Sequence, residues 1–70
     1  MWTLDDDGDA FNADTGQFVS YGKIGNGFAV FMTISRKGLK VLDFALSEDH
    51  ARYLIRKLAN QLNEEARHAD

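Results

Sequence analysis

The chain has no cysteine and no proline among its 70 residues. Without cysteine it can build neither a disulfide framework nor a thiolate metal site. Those are the usual staples of a domain this short, which buries only about 60% of its unfolded surface. A second absence is metal-ligand spacing: the only histidines, His50 and His68, stand eighteen residues apart, unlike any zinc motif. Third, no apolar run approaches the ~20 residues that span a bilayer. The opening Met1-Trp2-Thr3-Leu4 runs at once into aspartates, so it has neither the basic nor the apolar region of a signal peptide. Finally, no serine, cysteine or second histidine stands where a triad or a general acid–base pair would place it. The expectation is a cytoplasmic protein, not an enzyme, holding no cofactor and no metal.

What is present suits a small packed core. Hydrophobic residues make up 44% of the chain and five of them are Phe. This argues for a globular fold rather than disorder. The net charge of −3 is unevenly spread. Residues 1–16 carry Asp5, Asp6, Asp7, Asp9 and Asp14 with no Lys or Arg, whereas residues 17–46 carry Lys23, Arg36, Lys37 and Lys40 against Asp43 alone. An acidic chain is a poor starting point for binding phosphates, and its basic middle keeps that option open only locally.

The patterning predicts an α+β fold, an antiparallel meander of three to four strands packed on one C-terminal amphipathic helix. It forms a single domain over residues 1–70. Residues 1–16 form an acidic segment with short strands at Trp2–Leu4 and Ala10–Asn12, broken by the turn-favouring Asp5-Asp6-Asp7-Gly8-Asp9. Residues 17–46 form a three-stranded sheet. Gln17 to Ile24 is rich in strand formers, and the Asn26-Gly27 pair after it signals a type I′ hairpin turn. In the next strand Phe28, Val30, Met32 and Ile34 alternate with Ala29, Phe31, Thr33 and Ser35. Arg36-Lys37-Gly38 forms a further turn. Leu42, Phe44 and Leu46 then share one face of the last strand, with Val41, Asp43 and Ala45 on the other. Ser47 is the N-cap of a helix over 47–66, with Glu48 and Asp49 suited to the dipole of its first turn. Ala51, Leu54, Ile55, Leu58 and Leu62 make its apolar stripe, Asn63 falls on its polar face, and Glu48 can pair with Arg52.

One helix covers one sheet face, with Phe28, Val30, Met32 and Ile34 expected beneath it. The central strand is apolar on both sides, so its other face needs cover or is a binding surface. The N-terminal segment with Trp2 and Phe11 is one candidate cover and a second copy of the chain is the fuller one, so a homodimer is expected.

Several motifs weigh less than their bland readings. Asp14-Thr15-Gly16 is the aspartic-protease tripeptide, but these are turn residues, and no apolar strand leads into them. Asp5-Asp6-Asp7-Gly8-Asp9 invites a calcium loop, but aligning Gly8 with that loop's glycine places Thr3 and Asp14 where an aspartate and a bidentate glutamate belong. Gly22, Gly25 and Gly27 lead into a strand, whereas phosphate loops lead into a helix. Two sets remain. Asp5, Asp6, Asp7, Asp9 and Asp14 would meet a basic protein partner. Tyr21 and Phe31, standing on one exposed sheet face with Lys23, Arg36, Lys37 and Lys40 at its ends, would stack and hold nucleic acid.

In order of elements, and in the passage Phe44-Ala45-Leu46-Ser47-Glu48-Asp49 from strand to cap, the stretch Gln17 to Leu62 resembles two nucleic-acid-binding groups. One is the arm-type domain of tyrosine recombinases. The other is the small transcriptional-coactivator domain that binds single strands as a dimer. Neither resemblance carries residue roles to this chain. In size and acidity it also looks like accessory proteins of phages and mobile elements that occlude a host protein. The leading expectation is therefore a protein-interaction module, with nucleic-acid binding through the sheet as the alternative.

Overall fold

A computed structural model describes residues 1–35 and 38–68, and only the backbone of Ile34, Ser35 and His68. The elements are β1 (Trp2–Leu4), β2 (Ala10–Asn12), β3 (Gln17–Ile24), β4 (Gly27–Ser35), β5 (Gly38–Ala45) and α1 (Glu48–His68). Every neighbouring pair is antiparallel, and the sheet order β1-β2-β3-β4-β5 follows the chain. The class is α+β, as the patterning predicts, with five strands where three to four are expected.

The additional pairing follows from the acidic run, which builds a turn. The Asp5 carboxylate accepts hydrogen bonds from the amides of Asp7 and Asp9, both at 3.0 Å. The Asp5 amide donates to the Asp9 carbonyl at 2.9 Å. Gly8 supplies the left-handed residue, at φ 90°. The N-terminal segment therefore extends the sheet and does not fold over its second face. Trp2 points toward the helix and Phe11 away from it. Asp14-Thr15-Gly16 lies in the β2–β3 turn, where the Gly16 amide reaches the Asn12 carbonyl at 2.8 Å and Gly16 sits at φ 76°.

The β3–β4 hairpin turns on Gly25-Asn26, one residue earlier than the Asn-Gly signal suggests, and Ile24 pairs with Gly27. Gly25 has φ 57°, and among the described residues no non-glycine residue has positive φ. That is the type II′ pattern, with glycine first, and not type I′. Gly27 is committed elsewhere: a Cβ there would stand 2.7 Å from the Ala45 carbonyl oxygen. At the next connection Ser35 pairs with Gly38, and the expected turn residues Arg36 and Lys37 lie outside the described residues.

β5 departs from simple alternation. Val30 pairs with Asp43 and Phe31 with Val41, so Leu42 is an extra residue. Such a bulge places two residues opposite one and resets which side each side chain takes. Leu42 consequently packs into the core while Phe44 stands exposed on the opposite side. The two do not share a face, as simple alternation would have it.

Ser47 caps α1. Its hydroxyl accepts from the His50 amide at 3.1 Å and its carbonyl from the Ala51 amide at 3.0 Å. The helix runs two residues past the expected end. Ala51, Ile55 and Ala59 are buried against Ala10, Val19, Val30 and Ala45. The alanines on both layers let the helix lie close to the sheet, and Leu54 and Leu58 flank the contact. Phe28, Val30 and Met32 lie under the helix as expected, and the side chain of Ile34 is outside the description. Asn63 is not on the polar face. Its carboxamide oxygen accepts from the Trp2 amide at 2.8 Å and its nitrogen donates to the Trp2 carbonyl at 3.0 Å. The helix thereby supplies the edge strand β1 with the backbone partners that a sixth strand would have offered. No described helix is long and apolar enough to cross a membrane.

Candidate functional site

The sheet register that fixes the core also fixes the face turned away from the helix. Phe11 pairs with Phe18, Ser20 with Phe31, Phe31 with Val41, and Ala29 with Phe44. These side chains form cross-strand rows on a surface that nothing in the described chain covers. Ala29 is buried, but exposure among Phe11, Phe18, Val41 and Phe44 runs from 39% at Phe18 to 62% at Phe44, and Ile24 and Leu39 are more than half exposed. Phe31 is half-buried because its ring lies over Gly22, 3.7 Å from where a Cβ would sit. The polar groups on this face are satisfied internally. Thr33 Oγ1 accepts from the Phe18 amide at 2.9 Å. Ser20 Oγ donates to Asp9 Oδ1 at 2.8 Å, which occupies that carboxylate. The result is an aromatic and aliphatic sheet surface whose strands point no Lys, Arg or Glu outward among the described side chains.

The nucleic-acid set does not assemble on this face. Tyr21 pairs with Val30 and lies on the helix side, edge-on to Phe28 with ring centroids 6.0 Å apart. Phe31 points the opposite way, so the two aromatics expected to share a stacking surface are separated by the sheet. Lys23 and Lys40 lie opposite Phe28 and Met32, again on the helix side. Arg36 and Lys37 are outside the described residues.

Tyr21 is instead part of a polar clasp. Its hydroxyl lies 2.9 Å from Glu48 Oε1 and 3.5 Å from the Asp7 carbonyl. A phenol has one proton, and the shorter, charged acceptor takes it. The same oxygen accepts from Arg52 Nε at 3.1 Å, and the guanidinium also reaches Glu48 at 3.1 Å. These contacts, that with Tyr21 first, raise the already high pKa of Arg52.

The five aspartates do not act as one cluster. Asp5, Asp6, Asp7 and Asp9 share the β1–β2 turn, while Asp14 sits in the turn at the other end of β2. Asp5 and Asp9 are spent on the turn and on Ser20. Asp14 pairs with the Met1 ammonium at 2.7 Å, and this hydrogen bond, helped by the charge, holds its carboxyl below the usual range. The carboxylates of Asp6 and Asp7 are exposed and take no partner among the described residues. Neutralising all five would therefore disturb the fold as well as any contact.

Among the described residues no three His, Asp or Glu side chains converge as a metal ion requires. A cleft of about 210 Å³ lies between the β5 bulge and α1, lined by Val30, Leu42, Asp43, Leu54, Lys57 and Leu58. It is smaller than the ~300–1,000 Å³ typical of small-molecule sites.

Sequence reasoning missed Phe44 as an open-face residue and Asn63 as an edge partner. The bulge leaves no composition signal, and an asparagine on a helix reads as solvated until the strand beside it is known. No protein-family model, no curated protein and no solved structure matches this chain.

Proposed function

We propose that the chain is a non-enzymatic protein-interaction module whose contact surface is the open face of the sheet. The observation that carries the reading is the set of large apolar side chains left half exposed on β2, β3 and β5 around Phe31. Exposed apolar patches approaching several hundred Å² mark contact sites more often than idle surface. Enrichment in aromatics with depletion of charge is the composition of an interface core. Asp6 and Asp7, exposed in the nearby β1–β2 turn, give the rim an acidic side that suits a partner bearing Lys or Arg, in keeping with an accessory protein that occludes a basic surface. The nucleic-acid alternative ranks second, because phosphate binding draws its affinity from cations and Lys23 and Lys40 point to the other side of the sheet.

A photo-crosslinking side chain in place of Phe44, compared with one in place of Tyr53 on the outer face of α1, tests this reading in cell extract. The reading expects protein adducts at position 44 and few at 53. Equal yields at both positions, or none at 44, would overturn it.

A further inference from the structure

We propose that the occupant of the open face is the same face of a second copy, so that two sheets pack into a sandwich with the helices outside. The inference rests on the preceding reading of the face as a contact surface and names what covers it.

Area is the first argument. Six open-face residues, Phe11, Phe18, Ile24, Leu39, Val41 and Phe44, are between 39% and 62% exposed. With a fully exposed large side chain contributing ~150–250 Å², covering them removes about 600 Å² per copy. Two copies together then hide ~1,200 Å², which clears the ~1,000 Å² expected of a specific interface. A partner much smaller than this sheet would leave part of the surface wet.

Self-complementarity is the second argument. A twofold pairing sets the patch against itself, residue i meeting residue j and j meeting i, so any net charge on the patch meets its own sign. This face avoids that penalty, because its strands point outward only aromatic, aliphatic, hydroxyl and small side chains. The one carboxylate bonded to it, Asp9, is tied to Ser20. A surface built for a different protein commonly uses complementary charges within the contact to fix its register; here Asp6 and Asp7 lie outside the face, in the β1–β2 turn, where they stay free for a basic partner of the pair. Sheets packed face to face sit about 10 Å apart with interdigitated side chains. The half-exposed phenylalanines on both sides of Phe31 supply that filling.

The third argument is the slightness of the core. Eight described residues are buried, five of them alanine, in a chain without disulfides. Pairing would bury a second apolar layer on the far side of the same strands, as small scaffolds require.

Sedimentation equilibrium of the purified chain decides the matter, with circular dichroism to confirm that each variant is folded. The expected mass at micromolar concentration is twice the 7.9 kDa of one chain. Phe44→Asp should weaken the pairing by about tenfold or more, and Tyr53→Asp should leave it unchanged. Val41→Asp is the second open-face variant, should Phe44→Asp fail to fold. A folded wild-type chain that sediments at 7.9 kDa overturns the pairing but leaves the face free for another protein, so the interaction reading is untouched. Dissociation by Tyr53→Asp and not by the open-face variants would place the contact on the helix and overturn the proposal.

Discussion

At the scale of single residues, two positions hold the ends of the chain to the core by contacts that no local propensity encodes. Gly8 sits at φ 90°, and a Cβ there would stand 2.9 Å from Arg52 Cγ. Gly8→Ala therefore strains the backbone and pushes the arginine away from Tyr21 and Glu48. Its expected effect is a loss of about 1–2 kcal/mol, read from the denaturant midpoint, with Gly16→Ala as a comparison that carries the φ strain alone because nothing stands within 4 Å of its Cβ. Asn63 binds both backbone groups of Trp2. Asn63→Ala leaves a half-buried amide and carbonyl without partners and should lose about 1–3 kcal/mol. The Trp2 amide should then exchange with solvent much faster, and unchanged exchange would show that the pair does not restrain β1.

At the scale of elements, much was legible because the period-2 and period-3.6 patterns were strong. The strand period of β4 sends Val30 to the helix side and Phe31 to the open face, as read from the pattern. The Ser47 cap, the Glu48–Arg52 pair and the Ala51-Ile55 stripe were readable because helix signals are local. Illegible were the features that depend on a neighbour. The Leu42 bulge exists only in the pairing of β5 with β4, and it reversed the expected face of Phe44. The β3–β4 turn moved by one residue because Gly27 must pass close to the Ala45 backbone. The Tyr21–Phe31 pair failed as a stacking surface for the plainest reason: ten residues and a two-residue turn set Tyr21 opposite Val30, so Phe31 takes the other side. Val30 is the test of the helix-side layer. It is 1% exposed, and Val30→Ala should lose about 2 kcal/mol, whereas Tyr53→Ala on the outer face of α1, where the residue is 49% exposed, should change stability far less than that.

At the scale of the whole molecule, the sheet is covered on one side only. The sequence already carried the tension, since a central strand apolar on both faces cannot be satisfied by one helix. What it did not carry was where the N-terminal segment goes, because the aspartate run had to be recognised as a working turn before β1 and β2 could join the sheet. Once they do, Trp2 fills the helix side and Phe11 lengthens the open face, so the segment expected as a cover enlarges the surface that needs one. The candidate site was thus legible as a kind of surface and not as a set of residues. The central claim is that this face is exposed in the single chain and is covered when a second chain arrives. The absence of cysteine permits a direct measurement: a single thiol at Phe44→Cys, compared with one at Tyr53→Cys, followed by its rate of reaction with a small thiol reagent as chain concentration rises. The account predicts that both thiols react fast at high dilution, and that the rate at 44 then falls with concentration while the rate at 53 holds. Rates at the two positions that stay equal across the whole range would contradict it.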